Sequence, residues 1–467
     1  MKIEQIYTGC LAQGAYYIES EGEVAIIDPL REVQQYIDKA TKDNAKIKYI
    51  FETHFHADFV SGHLTLSQKT GAEIIYGPTA KPAFPAHIAT DGEVFKVGKI
   101  TITALHTPGH TMESTTYLLK DENGKDHAIF SGDTLFLGDV GRPDLAQKAA
   151  SMTQEELAAT LFHSLRNKIM PLADDVIVYP AHGAGSACGK NLSKETVGTL
   201  GDQKKTNYAL RADMTVEEFV QEVTDGLLPP PAYFPQNVRL NKEGYENIET
   251  IIEKNKAFTP AEFKEAADEA LILDVRDADS FGKEHIPGSI FIGVDGGFAP
   301  WVGALITDIN QPIVLVTPEG REQETITRLS RVGYDNTLGY LANGIEAWKA
   351  AGFETDSIER ISAATLEEKI NAGEKNVIDV RKPGEYNSSH IENVPNLPLD
   401  FINDHIGDFP ASETTYLHCA GGYRSMIAAS ILKARGFHNM IDVIGGFGAI
   451  KNTNLPLVET VCPSTLK

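Results

Sequence analysis

Short apolar strands alternating with helical stretches predict an α/β protein. Three observations support this. In the first half, strand after strand ends in a loop carrying His or Asp. In the second half, a segment of about 100 residues occurs twice, which means two like domains. At 467 residues the chain has room for about three domains. The hydrophobic share of 42% and charged share of 23% are those of a globular protein. The net charge of −23 is spread along the chain. It argues against nucleic acid and anionic membrane surfaces as partners, and leaves small anionic substrates open. No apolar run approaches the length of a membrane span, and Met1-Lys2-Ile3-Glu4-Gln5 does not read as a signal peptide. Cys10, Cys188, Cys419 and Cys462 lie far apart with no Cys-x-x-Cys pair. That usage predicts a reducing compartment without a disulfide framework, with the cytoplasm as the expected location.

The opening is strand-rich. Ile3–Tyr7, Ala15–Ile18 and Val24–Ile27 are β-type runs between Gly-containing turns, the third closed by Asp28-Pro29. Val33, Tyr36, Ile37 and Ala40 share a helical face. Ile47–Phe51 is a strand that feeds Thr53-His54-Phe55-His56-Ala57-Asp58, and His63–Lys69 is a helix stopped by Gly71. Further strands run Ile100–Leu105 into His106-Thr107-Pro108-Gly109-His110, Ala128–Phe130 into Ser131-Gly132-Asp133, and Val176–Tyr179 into Pro180-Ala181-His182. Thr215 and Glu218 form a capping box at a helix start. Pro229–Pro235 reads as extended chain. The first domain is expected to end between residues 252 and 262.

His54, His56, Asp58, His110, Asp133 and His182 thus all lie just past strand ends, where loops of a two-layer sheet assembly converge on one edge. Imidazole and carboxylate together suit a first-row transition metal. A lone His-x-His reads equally as a solvated loop. The recurrence at four strand ends favours a metal.

In this order and with these flanks, the six residues resemble the metallo-β-lactamase fold, an αββα sandwich, over roughly the first half of the chain. Within it, His110-Thr-Met-Glu-Ser, Ser131-Gly-Asp-Thr-Leu-Phe and Gly141-Arg-Pro-Asp-Leu look most like the persulfide dioxygenases. That resemblance implies one Fe(II) per chain, held by His54, His110 and Asp133, with His56, Asp58 and His182 around them. The dinuclear zinc hydrolases of the superfamily carry a His directly after the motif Asp, where this chain has Phe59. Phe cannot bind metal, so a full dinuclear centre is disfavoured. Two His and one carboxylate with open positions suit non-haem Fe(II) and O₂, and a mononuclear zinc hydrolase would use the same ligand types. Arg142 is a candidate anchor for a substrate carboxylate or phosphate, or else a structural partner of Asp139 or Asp144. Cys188 is a candidate for handling sulfur near the metal, or a small buried thiol. Tyr179 stands between pocket and core.

The repeat pairs Leu273-Asp-Val-Arg-Asp277 with Ile378-Asp-Val-Arg-Lys382, about 105 residues on, and Phe281-x3-His285-Ile286 with Tyr386-x3-His390-Ile391. Helical stretches at Glu322–Arg331 and Ser425–Arg435 alternate with apolar strands, which predicts mainly parallel sheets. The copies differ at one loop. Strand Thr415–His418 ends in Cys419-Ala420-Gly421-Gly422-Tyr423-Arg424-Ser425. The glycines let backbone N–H groups turn inward around the sulfur, and the helix N-terminus behind adds positive potential. Ala420, Gly421, Gly422, Tyr423 and Ser425 would form this cradle, with Arg424 completing it beside a nucleophilic Cys419. The pattern resembles the rhodanese sulfurtransferases, whose Cys carries a persulfide. In the first copy the loop reads Val316-Thr-Pro-Glu-Gly-Arg321, without Cys and with Pro318 lacking an N–H. It is expected to be inactive. Cys462 reads as free and incidental.

The expected arrangement is therefore a metallo-β-lactamase αββα sandwich at 1–255, a degenerate rhodanese-like domain at 260–356 and an active one at 360–467. The resemblance to persulfide dioxygenase–rhodanese fusions implies oxidation of a thiol persulfide to sulfite and sulfur transfer to give thiosulfate. The partners would be the persulfide, O₂, sulfite and thiosulfate, in a homo-oligomer. A thioester hydrolase and a sulfur relay with an inactive first domain remain the competing readings.

Overall fold

The structure is a computed structural model that describes residues 1–190 and 192–459; Cys462 lies outside the described residues. Contacts divide the chain into two compact units, residues 1–248 with 330–333, and 249–329 with 334–467.

In the first unit two six-stranded sheets pack face to face. One runs in chain order, β1 (Lys2–Thr8), β2 (Gln13–Ser20), β3 (Glu23–Ile27), β4 (Lys46–Phe51), β5 (Glu73–Tyr76) and β6 (His87–Ile88). Its first three strands are antiparallel and β3 to β6 are parallel. The other holds β7 (Val94–Val97), β8 (Ile100–His106), β9 (Thr115–Lys120), β10 (Asp126–Gly132), β11 (Ile177–Pro180) and β12 (Gly198–Thr199), again in chain order. Side chains alternate across a strand. On β2, Tyr16 and Ile18 therefore enter the core between the sheets with Phe51, Tyr117 and Phe130. Ala15 and Tyr17 face the other way, into a core with Val33, Tyr36 and Leu66 from the helices Gln34–Lys42 and His63–Thr70. Ile129 and Val178 likewise turn outward beneath helix Gln154–Ser164. Sheets buried on both faces give the αββα sandwich.

Helix His63–Thr70 ends at Gly71, whose φ of 72° is left-handed. Helix Val216–Thr224 opens on the Thr215–Glu218 capping box. Pro229–Pro231 is irregular as expected, but Pro235 is not: it lies in the first turn of helix Phe234–Glu243. There a missing N–H costs nothing and the fixed φ suits the helix.

The second unit carries two parallel sheets. The first has the order β13 (Lys256–Phe258), β17 (Thr337–Leu341), β16 (Ile313–Val316), β14 (Leu271–Asp274), β15 (Ile290–Phe291). The second has β18 (Arg360–Ile361), β22 (Met440–Val443), β21 (Thr415–His418), β19 (Val377–Asp379); β20 (Ser389–Ile391) pairs separately with β23 (Leu457–Glu459). In both, strand–helix alternation sends the loops to the carboxyl ends of the strands, where open α/β sheets place their sites. Among the described residues no helix is long and apolar enough to cross a membrane.

One buried group makes the first unit sensitive to acid. His63 is fully buried against Tyr76, Phe84 and Tyr245, and neither ring nitrogen has a hydrogen-bond partner. Burial, with His56 nearby, pushes its pKa down to about 3. The unfolded chain binds a proton here below about pH 6.5 and the folded chain does not. The stabilisation is therefore complete above pH 6.5 and falls by about 1.4 kcal/mol per pH unit below it. We expect His63→Phe to lose less melting temperature than the natural chain between pH 7.5 and 5.5; equal losses would contradict this.

Candidate metal centre and sulfur site

Four strand ends of the sandwich deliver the predicted ligands to one buried volume. His54 follows β4, His110 follows β8, Asp133 follows β10 and His182 follows β11. His54, His110 and Asp133 are each within 2% of complete burial. Their donor atoms lie within 4.8 Å of one another. His54 Nε2 stands 3.8 Å and His110 Nε2 3.4 Å from Asp133 Oδ2. That oxygen is buried without a hydrogen-bond partner. Ligand atoms at about 2.1 Å from a metal and a right angle apart are separated by about 3 Å, so small shifts would close this set on one ion.

The remaining atoms of these residues are held from behind. His110 Nδ1 donates to the Arg142 carbonyl at 2.9 Å. His54 Nδ1 lies 3.0 Å from Thr53 Oγ1, which donates to Asp28 Oδ2 at 2.8 Å. Both contacts put the proton on Nδ1 and leave Nε2 free for a metal. Burial, then His56, keeps His54 well below the ordinary histidine range, so it is neutral. Burial alone would raise Asp133, but His182 and His54 outweigh it and hold the carboxyl far below its usual range.

His182 lies between two carboxylates. Its Nδ1 is hydrogen-bonded to Asp133 Oδ1 at 2.8 Å, and its Nε2 is 2.8 Å from Asp58 Oδ2. Burial opposes charge here, yet Asp133 and Asp58 hold its pKa well above the ordinary value. Cys188 joins this second cluster, its sulfur within 4.8 Å of the Asp58 and His182 donors. Burial, then Asp58 and Asp133, pushes its thiol well up, so it stands there protonated. His56 turns elsewhere: its Nε2 is 3.1 Å from Asp28 Oδ1 and 3.8 Å from Glu52 Oε2. Phe59 is fully buried with its ring 4.4 Å from the His56 ring.

Two of the expected substrate contacts take other partners. Arg142 makes a bidentate pair with Asp144, 2.7 Å at Nε and 2.7 Å at Nη2, and also donates to Leu228 O at 2.5 Å. A planar guanidinium matched to a carboxylate two residues away is no open anchor; Arg142 serves here as a clasp whose carbonyl orients His110. Tyr179 stacks on Phe130 at 5.2 Å and packs against Tyr16 in the core between the sheets.

Sequence reasoning passed over Asp28, Glu52 and Asn241. Asp28 and Glu52 end β3 and β4, and acids at strand ends beside the His cluster were the available signal. Asn241 gave none. From helix Phe234–Glu243 its amide donates to the carbonyls of His56 and Phe59, 2.8 Å each, and accepts from Ser61 N.

Gly141 is the tightest point of the centre. A Cβ there would overlap the Asp133 carbonyl and stand 2.9 Å from His110 Nδ1. We expect Gly141→Ala to displace both ligands and lower metal affinity by about 10- to 100-fold, the loss typical of disturbed outer contacts. Equilibrium dialysis checks it.

In the second rhodanese-like copy, Cys419 follows β21 and helix Tyr423–Ala434 begins four residues later. Cys419 is 1% exposed. Gly422 N–H donates to it at 3.1 Å from a left-handed φ of 99°, and Ser425 Oγ is 3.5 Å away. Ala420 and Gly421 are exposed. Arg424 does not complete the cradle. Its guanidinium pairs with Glu385 at 2.6 and 2.8 Å, and the hydrogen bonds to the sulfur come from Gly422 N–H and Ser425 Oγ. In the first copy, Glu322 fills the corresponding loop from behind, accepting from Gly320 N at 3.2 Å and Thr317 Oγ1 at 3.4 Å.

Comparison with known proteins agrees with this fold. The metallo-beta-lactamase superfamily model matches residues 8–182, and the rhodanese-like domain model matches 259–351 and 362–453. The mitochondrial persulfide dioxygenase ETHE1 of Homo sapiens is 29% identical over 223 residues, 46% of this chain and 79% of that protein. The cytoplasmic hydroxyacylglutathione hydrolase of Arabidopsis thaliana is 32% identical over 166 residues, 34% of this chain and 62% of that one. A metallo-beta-lactamase structure from Staphylococcus aureus subsp. aureus COL aligns with TM-score 0.65 and 30% identity, over 73% of this chain and 98% of that one. The chain belongs to the metallo-beta-lactamase superfamily: a metallo-beta-lactamase domain with persulfide dioxygenase homologues, followed by two rhodanese-like domains.

Proposed function

We propose that the first domain oxidises a low-molecular-weight thiol persulfide to sulfite with Fe(II) and O₂, and that Cys419 transfers a sulfane sulfur to make thiosulfate. Relatives include both dioxygenases and hydrolases, so the choice rests on the site. The observation that carries it is the buried His54–His110–Asp133 set, whose donor atoms lie within 4.8 Å of one another, with the Phe59 ring packed on His56. We assign these three residues as the metal ligands, with Asp58, His182 and His56 supporting them. Fe(II) held there would supply open positions for sulfur and O₂ together.

The protein's own part is positional. Arg142 O and Thr53 fix the two imidazoles, and His182 holds Asp133 by one oxygen so that the other faces them. His182, charged between Asp58 and Asp133, stands beside the protonated Cys188. Overall, RSSH, O₂ and H₂O give RSH and sulfurous acid. A Cys419 persulfide then gives its outer sulfur to sulfite, releasing the Cys419 thiol and thiosulfate.

The test is oxygen uptake by Fe(II)-loaded protein given glutathione persulfide or coenzyme A persulfide. Uptake with sulfite or thiosulfate formed is expected. Fully loaded iron without uptake, together with thioester turnover by the zinc form, would replace this reading with a hydrolase.

A further inference from the structure

Tyr423 follows Gly422 in the Cys419 loop, yet its side chain leaves the sulfur and enters the first rhodanese-like copy. Its hydroxyl donates to the Gly293 carbonyl at 2.7 Å, and its ring meets Phe291 edge-on at 5.9 Å. The receiving loop after β15 is bare where the ring lies. A Cβ on Gly296 would overlap Tyr423 Cζ, and one on Gly293 would stand 3.2 Å from Tyr423 Cε2. The same copy reaches the far side of the cradle. Asp279 pairs with Arg360, whose Nε donates to Asp442 at 2.9 Å. Asp442 accepts from Ser425 Oγ at 2.6 Å, and Ser425 lies against Cys419 Sγ. Behind both contacts, Phe291 N donates to Ser430 Oγ at 3.0 Å, on the helix that Tyr423 opens.

We propose that the copy lacking a cysteine is a positioning element for the copy that has one: its Gly293–Gly296 notch seats Tyr423 and thereby sets Gly422 N–H and Ser425 Oγ on the Cys419 sulfur. Gly422, at a φ of 99°, gives the loop the freedom its turn requires, and that freedom must be removed again for the sulfur to be held in one geometry. An aromatic anchor directly after Gly422, fixed at both its ring and its hydroxyl, does this. The proposal rests on reading Cys419 as the sulfur carrier.

The experiment uses the full chain carrying Gly296→Ala, a substitution more than a hundred residues from Cys419. Two quantities are read. One is the rate of Cys419 alkylation by iodoacetamide across pH, followed by mass analysis of its peptide. The other is sulfur transfer from thiosulfate to cyanide. We expect alkylation at pH 7 to change about fivefold with a shifted pH profile, transfer to fall about tenfold, and oxygen uptake to stay as it was. Tyr423→Ala should act alike, and adding Gly296→Ala to it should change nothing more, because no ring remains to clash. Natural rates in Gly296→Ala would overturn the proposal, and so would an equal further loss in the Tyr423→Ala background. Unfolding would also expose the buried Cys419 to alkylation, so the profiles are compared where circular dichroism shows both chains fully folded, and there a change in stability alone leaves the profile unmoved. If the natural chain transfers no sulfur, the sulfur-carrier reading fails, while the alkylation profile still decides whether the notch positions the loop.

Discussion

We expect His110→Ala to abolish the proposed oxygen uptake and to leave less than about a hundredth of the natural metal affinity. Losing an outer contact of a ligand already costs about 10- to 100-fold, and this change removes a donor atom itself. His110 Nε2 is the nearer of the two imidazole nitrogens to Asp133 Oδ2, 3.4 Å against 3.8 Å for His54. Without it the remaining pair offers one imidazole and one carboxylate. The effect should be local, because the backbone on either side is held by other contacts: Thr107 N bonds to Ser114 O and Gly109 N to Thr111 O. Metal analysis and an oxygen electrode read the two losses, and sulfur transfer at Cys419 serves as the internal control. Bound iron and uptake surviving in His110→Ala would move the centre elsewhere. The buried Asp28–Glu52–His56 group would then be the place to look, since its donors also lie within 4.8 Å of one another.

What could be read from the sequence follows a physical divide. The candidate ligand positions could be picked out because each follows a short apolar strand, and period and burial are written locally. The repeat was visible because two copies keep the same Asp-Val-Arg strand end. In both, the Asp and Arg pair with each other, at 2.6 Å for Asp274–Arg276 and 2.6 Å for Asp379–Arg381. Distant partners of long side chains were not visible. Arg142 read either as an anion anchor or as a partner of Asp139 or Asp144, and it pairs with Asp144; Arg424 read as part of an anion cradle, and it pairs with Glu385. Glu385 lies 39 residues from Arg424, so only the fold could bring them together. Asn241 and the Asp28–Thr53–His54 relay were hidden for the same reason. The outer contacts of a metal site are chosen by tertiary structure, while its ligands sit at places the secondary structure already marks.

The second large effect separates the two chemistries. We expect Cys419→Ser to stop the proposed sulfur transfer, by a factor on the order of 10³ or more, as loss of a nucleophile does, and to leave oxygen uptake unchanged. A serine oxygen keeps the cradle filled and still accepts from Gly422 N–H, so the loop survives. It forms no S–S bond, and no sulfane sulfur can be stored there. On the proposed function the product would then change rather than the rate of oxidation: sulfite would accumulate in place of thiosulfate. The first rhodanese-like copy supplies no rescue, because Val316–Arg321 contains no thiol and Glu322 already occupies its loop donors. Transfer surviving in Cys419→Ser would therefore count against both the assignment of Cys419 and the inactivity of the first copy. Sulfite accumulating at an undiminished rate of oxygen uptake would place oxidation in the sandwich and transfer in the second copy, as two separable steps of one chain.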